Sequence, residues 1–442
     1  MAESARQTAL RVLERCRRDR AFSDTLLAGE IGKAELDGRD AALAARLCYG
    51  VLQNELLCDF YIDRFAANPA KLEPKVRDIL RLSVYQILFM DKIPAHAAVS
   101  EGVELCKKTG FARASGLVNA VLRKIADSRE HLPEIPRDDA CTYFSIKYSI
   151  PRALTALFLR EFGAETEDFL KASNAPAPTF LQTNTLKTTP AALREALTAR
   201  GLDPIENPLV PGCFEVSRAG DLTKLPEYAD GLFYVQDAAA ALAVKAAGLC
   251  EGMTILDACA APGGKSFAAA MAAGDSGGIF SRDIHEKKLP LIEAGAKRLG
   301  ITSIQTAAMD AKTPDAALIG ACDAVLADAP CSGLGVLRKK PDIRFRDLAA
   351  LEGLPEVQRA ILNGLAPCVK PGGVLLYSTC TVLKRENDEV VTAFLDTHPD
   401  FAPEAFTLPD PIGTVESGRL TLLPNRHETD GFYICKLRKK HD

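Results

Sequence analysis

The sequence predicts three parts in series: an all-α domain over residues 1–130, a small α+β module over 131–235, and an α/β domain with a doubly wound parallel sheet over 236–442. Three observations carry this expectation. The 442 residues suit about three domains at ~150 residues each. Apolar residues in the first 130 positions recur at helical spacing, with no strand-like run among them. From about residue 236 onward, strand-like and helix-like segments alternate regularly, as they do in a parallel sheet covered by helices.

Taken in order, Ala5, Ala9, Val12 and Cys16 share one helical face, with Arg11, Arg15 and Arg18 on others. The stretch ILRLSVYQILFM is apolar on most sides and predicts a central buried helix. Val99, Val103 and Cys106 repeat before a stop at Gly110, and Leu117, Val121 and Ile125 repeat in GLVNAVLRKI. ADSREHLPEIPRDDA is polar, contains two prolines and predicts a linker. In the middle module, RALTALFLREFG and AALREALTARG predict helices, whereas TFLQTNTL, CFEVS and GLFYVQD predict strands. The parallel strands are expected in TILDACA, GGIFSRDI, SIQTAAMD, DAVLADA and GVLLYSTC.

Composition excludes several classes. With 47% apolar and 25% charged residues the chain is an ordinary folded protein, not a disordered, collagen-like or coiled-coil one. No apolar run approaches the ~18 uncharged residues of a membrane span. The first twenty residues lack the uncharged core of a signal peptide. The 13 cysteines form no C-x-x-C pair and the six histidines show no metal spacing. Reduced thiols in a cytoplasmic, monomeric protein without a metal are expected. The net charge of −4 is uneven: residues 1–130 carry 21 basic and 18 acidic groups, the remainder 33 and 40. A local cationic patch can therefore still meet phosphate.

The chemistry is expected at the strand ends. Asp257 closes the first parallel strand, and Cys259, Ala260, Ala261, Pro262, Gly263, Gly264 and Lys265 lead into the next helix. Small residues let the backbone approach a ligand, and a helix N-terminus offers free N–H groups. The run falls short of a P-loop, because Cys259 replaces the first glycine and Pro262 removes an N–H. Asp283, at the end of the second strand, is placed to accept from two ribose hydroxyls, and Asp310, after the third, to flank a purine ring. Either acid alone is an ordinary cap; glycine turn and acids at successive strand ends read together as a nucleoside-cofactor site.

The fourth and fifth strands end in Asp328-Ala-Pro-Cys331 and Ser378-Thr-Cys380, which puts two thiols at one sheet edge. Alkylation of C5 of cytosine needs such groups. A thiolate adding to C6 makes C5 enamine-like, and a carboxyl group near N3 offsets charge developing on the ring. A second group must then help the C5 proton leave. Cationic surroundings are needed to populate the thiolate, and Lys265 is a candidate. The residues alone do not decide which cysteine attacks.

LDACAAPGGKS, LADAPCSGLGVLRKKPDIR and LLYSTCTVLKRENDEVV together resemble the cofactor loop and two cysteine motifs of the NOL/NOP/Sun family of RNA 5-methylcytosine methyltransferases. Residues 1–130 resemble the NusB-like RNA-binding domain found in one bacterial branch of that family. The resemblance implies a Rossmann-like catalytic domain that uses S-adenosylmethionine, with this donor held by Cys259 to Lys265, Asp283, Asp310 and Asp328. It implies Cys380 as nucleophile, Cys331 as the group assisting product release, and Asp328 at the base edge. It further implies 16S rRNA, or a small-subunit assembly intermediate, as substrate. Thr381, Met309 and Phe345 depart from the family's usual serine, glycine and tryptophan.

Beside a crevice that must accept a polyanion, Arg338, Lys339, Lys340, Arg344 and Arg346 are expected to contact phosphate, together with Lys265. Arg15, Arg17, Arg18 and Arg20, and Lys436, Arg438, Lys439 and Lys440, are secondary candidates.

Overall fold

The helical spacing of the first third is realised as six helices in a computed structural model that describes residues 3–19, 23–217 and 220–441. These are α1 (Ala5–Asp19), α2 (Ser23–Lys33), α3 (Gly38–Phe65), α4 (Pro74–Phe89), α5 (Ala95–Lys108) and α6 (Ser115–Asp127). Asp37 caps α3 by accepting from the Asp40 N–H, and Pro74 opens α4, where its missing N–H costs nothing. α4 is buried along most of its length, from Val76 to Ile87, as its sequence predicts. α3 bends at Asn54, whose φ/ψ of −125°/20° leaves the helical region and whose side-chain amide donates to the Gly50 carbonyl. The expected linker is an irregular segment from 128 to 139, after which α7 (Ala140–Tyr148), α8 (Arg152–Phe162) and α9 (Thr166–Ser173) follow.

The chain folds as two compact units whose limits differ from the expected division. The first comprises the described residues up to Ala175 together with Leu337–Leu348; the second runs from Pro176 to Val336 and onward from Ala349. The prolines after residue 130 mark an irregular connection. α7 packs on α3, and Leu154, Phe158, Phe169 and Leu170 bury the apolar faces of α8 and α9.

The second unit opens with β1 (Thr179–Thr183), α10 (Pro190–Ala199), β2 (Ile205–Glu206), β3 (Cys213–Val216), α11 (Pro226–Ala229) and β4 (Phe233–Val235). The strands form an antiparallel sheet in the order β2-β3-β1-β4, over a core of Leu181, Leu193, Leu197, Phe214, Val216 and Phe233.

α12 (Ala238–Ala247), β5 (Thr254–Asp257), α13 (Gly264–Ala272), β6 (Gly278–Asp283), α14 (Leu289–Leu299), β7 (Ile304–Ala308) and β8 (Cys322–Asp328) come next. α15 (Leu354–Leu365), β9 (Val369–Thr379) and α16 (Asp388–Thr397) follow. The chain then runs through β10 (Phe401–Pro403), β11 (Phe406–Thr407), β12 (Thr414–Val415), β13 (Arg419–Leu422), α17 (Pro424–His427) and β14 (Phe432–Lys439). Asn184 ties the antiparallel module to this part by donating to Leu299 O at 2.8 Å, as does Arg298 by donating to Phe233 O at 2.9 Å.

The large sheet has the order β10-β14-β9-β8-β5-β6-β7, with β13 on β14. The five strands expected from the sequence are all present and parallel. Beyond these five strands the sheet is mixed, because β14 enters antiparallel between β9 and β10. The charged residues of β14, and Lys440 just beyond its end, have partners within the fold. Lys436 and Arg438 both pair with Glu404, Lys439 donates to Val369 O, and Lys440 to Pro399 O. In α1, Arg15, Arg17 and Arg18 pair with Glu30, Asp78 and Asp19; Arg20 lies outside the described residues.

Candidate active site

Strand order reverses between β5 and β8, and a crevice for a ligand opens at the C-terminal ends of strands at such a switch point. The loop leaving β5 is knitted to both neighbouring strands: the Ala258 N–H donates to Leu326 O and the Ala260 N–H to Arg282 O. Gly263 then takes a φ of +112°, and a Cβ there would lie 2.5 Å from the Phe267 ring, so only glycine allows this entry into α13. Ser266, in the first turn of α13, bonds both Asp257 and Ser281 at 2.7 Å. Asp257 is fully buried, and its Oδ1 has no hydrogen-bond partner. Burial pushes its carboxyl group up to about 6 against the lowering effects of Ser266 and Lys265.

Asp283 is buried, and its two oxygens accept from the N–H groups of Ala261 and His285. Asp310 caps the turn to Lys312 and pairs with the same residue's ammonium at 3.3 Å. The four acids converge: burial raises the half-buried Cys259 thiol, and so do the charges of Asp328, Asp257, Asp283 and Asp310. An orphaned buried carboxylate oxygen and a ring of negative charge around a small-residue loop fit a cationic nucleoside such as S-adenosylmethionine.

At the end of β8, Asp328 accepts from Lys265 Nζ at 2.6 Å and from Ser378 Oγ at 2.9 Å. Burial alone would lower the Lys265 ammonium, but Asp328, Asp257 and Cys380 together hold it above its ordinary value. The ammonium also lies 5.1 Å from the centre of the Phe432 ring. Sγ of Cys331 and Sγ of Cys380 are 3.2 Å apart. The hydrogen bond with Cys380, then burial, then the charges of Cys380 and Glu386 keep the Cys331 thiol well above its ordinary range. The structure thus brings both cysteines, Asp328 and Lys265 together.

The expected phosphate contacts fare differently. Lys265 turns into the crevice toward Asp328 and is not a surface cation. Arg338 and Lys339 are half-buried, and Lys340 is exposed, 3.6 Å from Asp24. The expectation for Arg344 is corrected: it is 1% exposed and buried in the helical unit. Its guanidinium donates to Gln53 O at 2.9 Å, Tyr148 O at 3.1 Å and Asn174 Oδ1 at 3.1 Å. The bend at Asn54, the end of α7 and the C-cap of α9 supply those acceptors, which a basic run in a sequence does not announce. Sequence reasoning also missed Gln358, Glu386 and Asn387, which bond the segments bearing the two cysteines.

A family model described as 16S rRNA methyltransferase RsmB/F matches residues 246–438. A NusB family model matches 3–127, and a RsmF/B-like ferredoxin-like domain model matches 150–223. The probable ribosomal RNA small subunit methyltransferase B of Bacillus subtilis (strain 168) is 36% identical, over 99% of this chain and 99% of its own. The chain belongs to the RsmB/F methyltransferase family. Its RsmB/F relative in Vibrio cholerae, ribosomal RNA small subunit methyltransferase B, is 34% identical over 91% of this chain and 90% of its own. The fold agrees with that of PH0851, at a TM-score of 0.80 and 25% identity over 99% of this chain and 100% of the other. NSun6 from Pyrococcus horikoshii, solved with SFG, matches at a TM-score of 0.58 and 23% identity, over 64% of this chain and 97% of its own, and shares the fold of this RsmB/F chain. Among the described residues no group of three or more His, Cys, Asp or Glu side chains is arranged to hold a metal ion, and no helix is long and apolar enough to cross a membrane.

Proposed function

We propose that this chain methylates C5 of a cytosine in 16S rRNA, with S-adenosylmethionine as donor, Cys380 as nucleophile and Cys331 assisting product release. The observation that carries the reading is the 3.2 Å pair of thiols beside the Lys265–Asp328 ion pair, at the switch point of the sheet. Cys259 to Lys265, Asp283, Asp310 and Asp328 would hold the donor, and Asp257 lies behind them. Bound there, S-adenosylmethionine supplies an electrophilic methyl group.

The chain's own residues do the rest. Cys380 lies within the field of Lys265, and that positive charge supports a thiolate there. Its sulfur bonds to C6 of the cytosine, and the C5–C6 electron pair becomes available at C5. Asp328, oriented by Lys265 and Ser378, meets the base edge near N3, where charge develops. After methylation Cys331, having released its own proton to solvent, takes the C5 proton on its sulfur, the C5–H electron pair reforms the C5–C6 double bond, and the Cys380–C6 bond breaks with its pair leaving on the Cys380 sulfur as thiolate. Lys340, exposed in the 337–348 segment, is a candidate phosphate contact. Support for 16S rRNA comes from the family model and the full-length relatives.

The test is incubation with labelled S-adenosylmethionine and unmodified 16S rRNA, followed by mapping of 5-methylcytosine. Label at C5 of one cytosine is expected. No incorporation on either naked rRNA or assembling small subunits overturns the reading.

A further inference from the structure

Two reacting thiols on separate loops need those loops fixed relative to one another, and three buried side chains outside the reacting set do this. Cys331 sits between Pro330 and Ser332. Gln358 donates from Nε2 to Pro330 O at 3.0 Å, and the Ser332 N–H donates to Glu386 Oε2 at 2.8 Å. Cys380 sits between Thr379 and Thr381. Thr379 Oγ1 donates to Asn387 Oδ1 at 2.6 Å, and Asn387 Nδ2 donates to Thr381 O at 3.1 Å. The two brackets are then joined. Gln358 Nε2 also donates to Glu386 Oε2 at 3.0 Å, Thr381 Oγ1 donates to Glu386 Oε1 at 3.4 Å, and the hydroxyls of Ser332 and Thr381 bond at 2.7 Å. Gln358 and Glu386 are fully buried and Asn387 nearly so, and the Tyr377 hydroxyl fixes the backbone of Glu386 from below at 2.6 Å.

A Glu-Asn pair entering a helix is more often a cap than anything else. Here the carboxylate accepts from both cysteine loops and from the glutamine that holds one of them, which a cap of α16 does not require. A buried carboxylate makes charge-assisted bonds that are stronger than neutral ones, so each loop is held firmly. We propose that Glu386, with Gln358 and Asn387, is a positioning device that sets the separation of the Cys331 and Cys380 sulfurs and so the rate of the covalent step and of product release. The charge of Glu386 is also among the influences that raise the Cys331 thiol. The inference rests on the function proposed above, and its test separates the two.

In the full chain, Glu386→Ala is expected to lower kcat by about 100-fold, the scale of a small misplacement of reacting groups, with KM for RNA and the affinity for S-adenosylmethionine unchanged. Glu386→Gln, which keeps an acceptor for the Ser332 N–H, is expected to fall between Glu386→Ala and the parent. A second readout needs no methylation. Diamide takes the two thiol hydrogens as the sulfurs of Cys331 and Cys380 join, and peptide mass spectrometry follows that closure. Glu386→Ala is expected to slow it at least about tenfold. Unchanged closure and unchanged kcat in a folded Glu386→Ala protein overturn the proposal. If that variant does not fold, Thr381→Val, which removes the bridging hydroxyl alone, is judged by the same two readouts. If the parent protein transfers no methyl group, the functional reading fails, and the closure rates still decide the positioning role.

Discussion

Sγ of Cys331 lies 3.2 Å from Sγ of Cys380, although 49 positions separate the two residues in the chain. The contact exists because β8 and β9 are parallel neighbours, so both loops leave the sheet at the same edge. The two cysteines are expected to fail differently. Cys380→Ala should form no covalent RNA adduct, whereas Cys331→Ala should accumulate a stable one, because attack proceeds while elimination stalls. Denaturing gels of enzyme mixed with 16S rRNA and donor distinguish the cases, and the opposite pattern reverses the assignments.

Asp328 is held from both sides by Lys265 and Ser378. Asp328→Asn keeps the shape and removes the charge meant for the base edge. Its kcat is expected to fall by about 10²–10³, the cost of removing one preorganised electrostatic contact. Single-turnover methylation against donor affinity measured by calorimetry checks this; a loss confined to donor binding contradicts it.

Asp257 predicts a pH dependence of stability. Its carboxyl group titrates near 3.8 ordinarily and at about 6 when folded. An acid whose native pKa is raised holds its proton more tightly in the native state, so its contribution falls as pH rises through this window and stays lost above it. Asp257→Asn does not ionise. Relative to the parent it should gain about 2 kcal/mol between pH 4 and pH 7. Denaturant unfolding at pH 4, 5, 6 and 7 measures the difference between the two proteins, and a constant difference removes burial as the cause.

Arg344 and Lys340 share one basic run and should separate completely. Arg344→Ala strands buried carbonyl acceptors and should cost ~3 kcal/mol or more, visible as a lowered Tm. Lys340→Ala removes an exposed cation and should leave Tm within about 1 °C. Its effect should fall on RNA affinity, lowering the salt slope by about one.

Gly335 shows how little room the Cys331 segment has. Its N–H donates to Cys380 O, its carbonyl accepts from the Gly431 N–H, and an added Cβ would meet Gly431 O and lie 2.8 Å from Cys380 O. Gly335→Ala must push backbone aside, with an expected cost of about 2 kcal/mol. Loss of methylation should exceed what the lowered Tm explains.

The strands that carry the site were legible because buried parallel strands are short apolar runs ending in small or acidic residues. Asp257, Asp283, Asp310 and Asp328 could be placed for that reason. β14 was not legible, because the charges of Lys436 and Arg438 break its apolar pattern, and their partner Glu404 is remote in sequence. The run RKKPDIR reads as a solvated basic patch, and acceptors at the bend at Asn54 and the ends of α7 and α9 turn Arg344 inward. Glu386 and Asn387 stood within the second cysteine motif, but a Glu-Asn pair before a helix looks like a cap until the loops it holds are folded around it.

β14 pairs with β9 from Tyr433–Thr379 to Arg438–Val374, yet it is the latest strand of the sheet to be synthesised. While residues 380–431 are being translated, the strand leading to Cys380 keeps an open edge, the kind of surface that recruits wrong partners. A nascent chain therefore carries all of its reacting groups before it has a closed sheet to hold them. Pairing of β14 with β9, not translation of the cysteines alone, is what closes the strand that leads to Cys380.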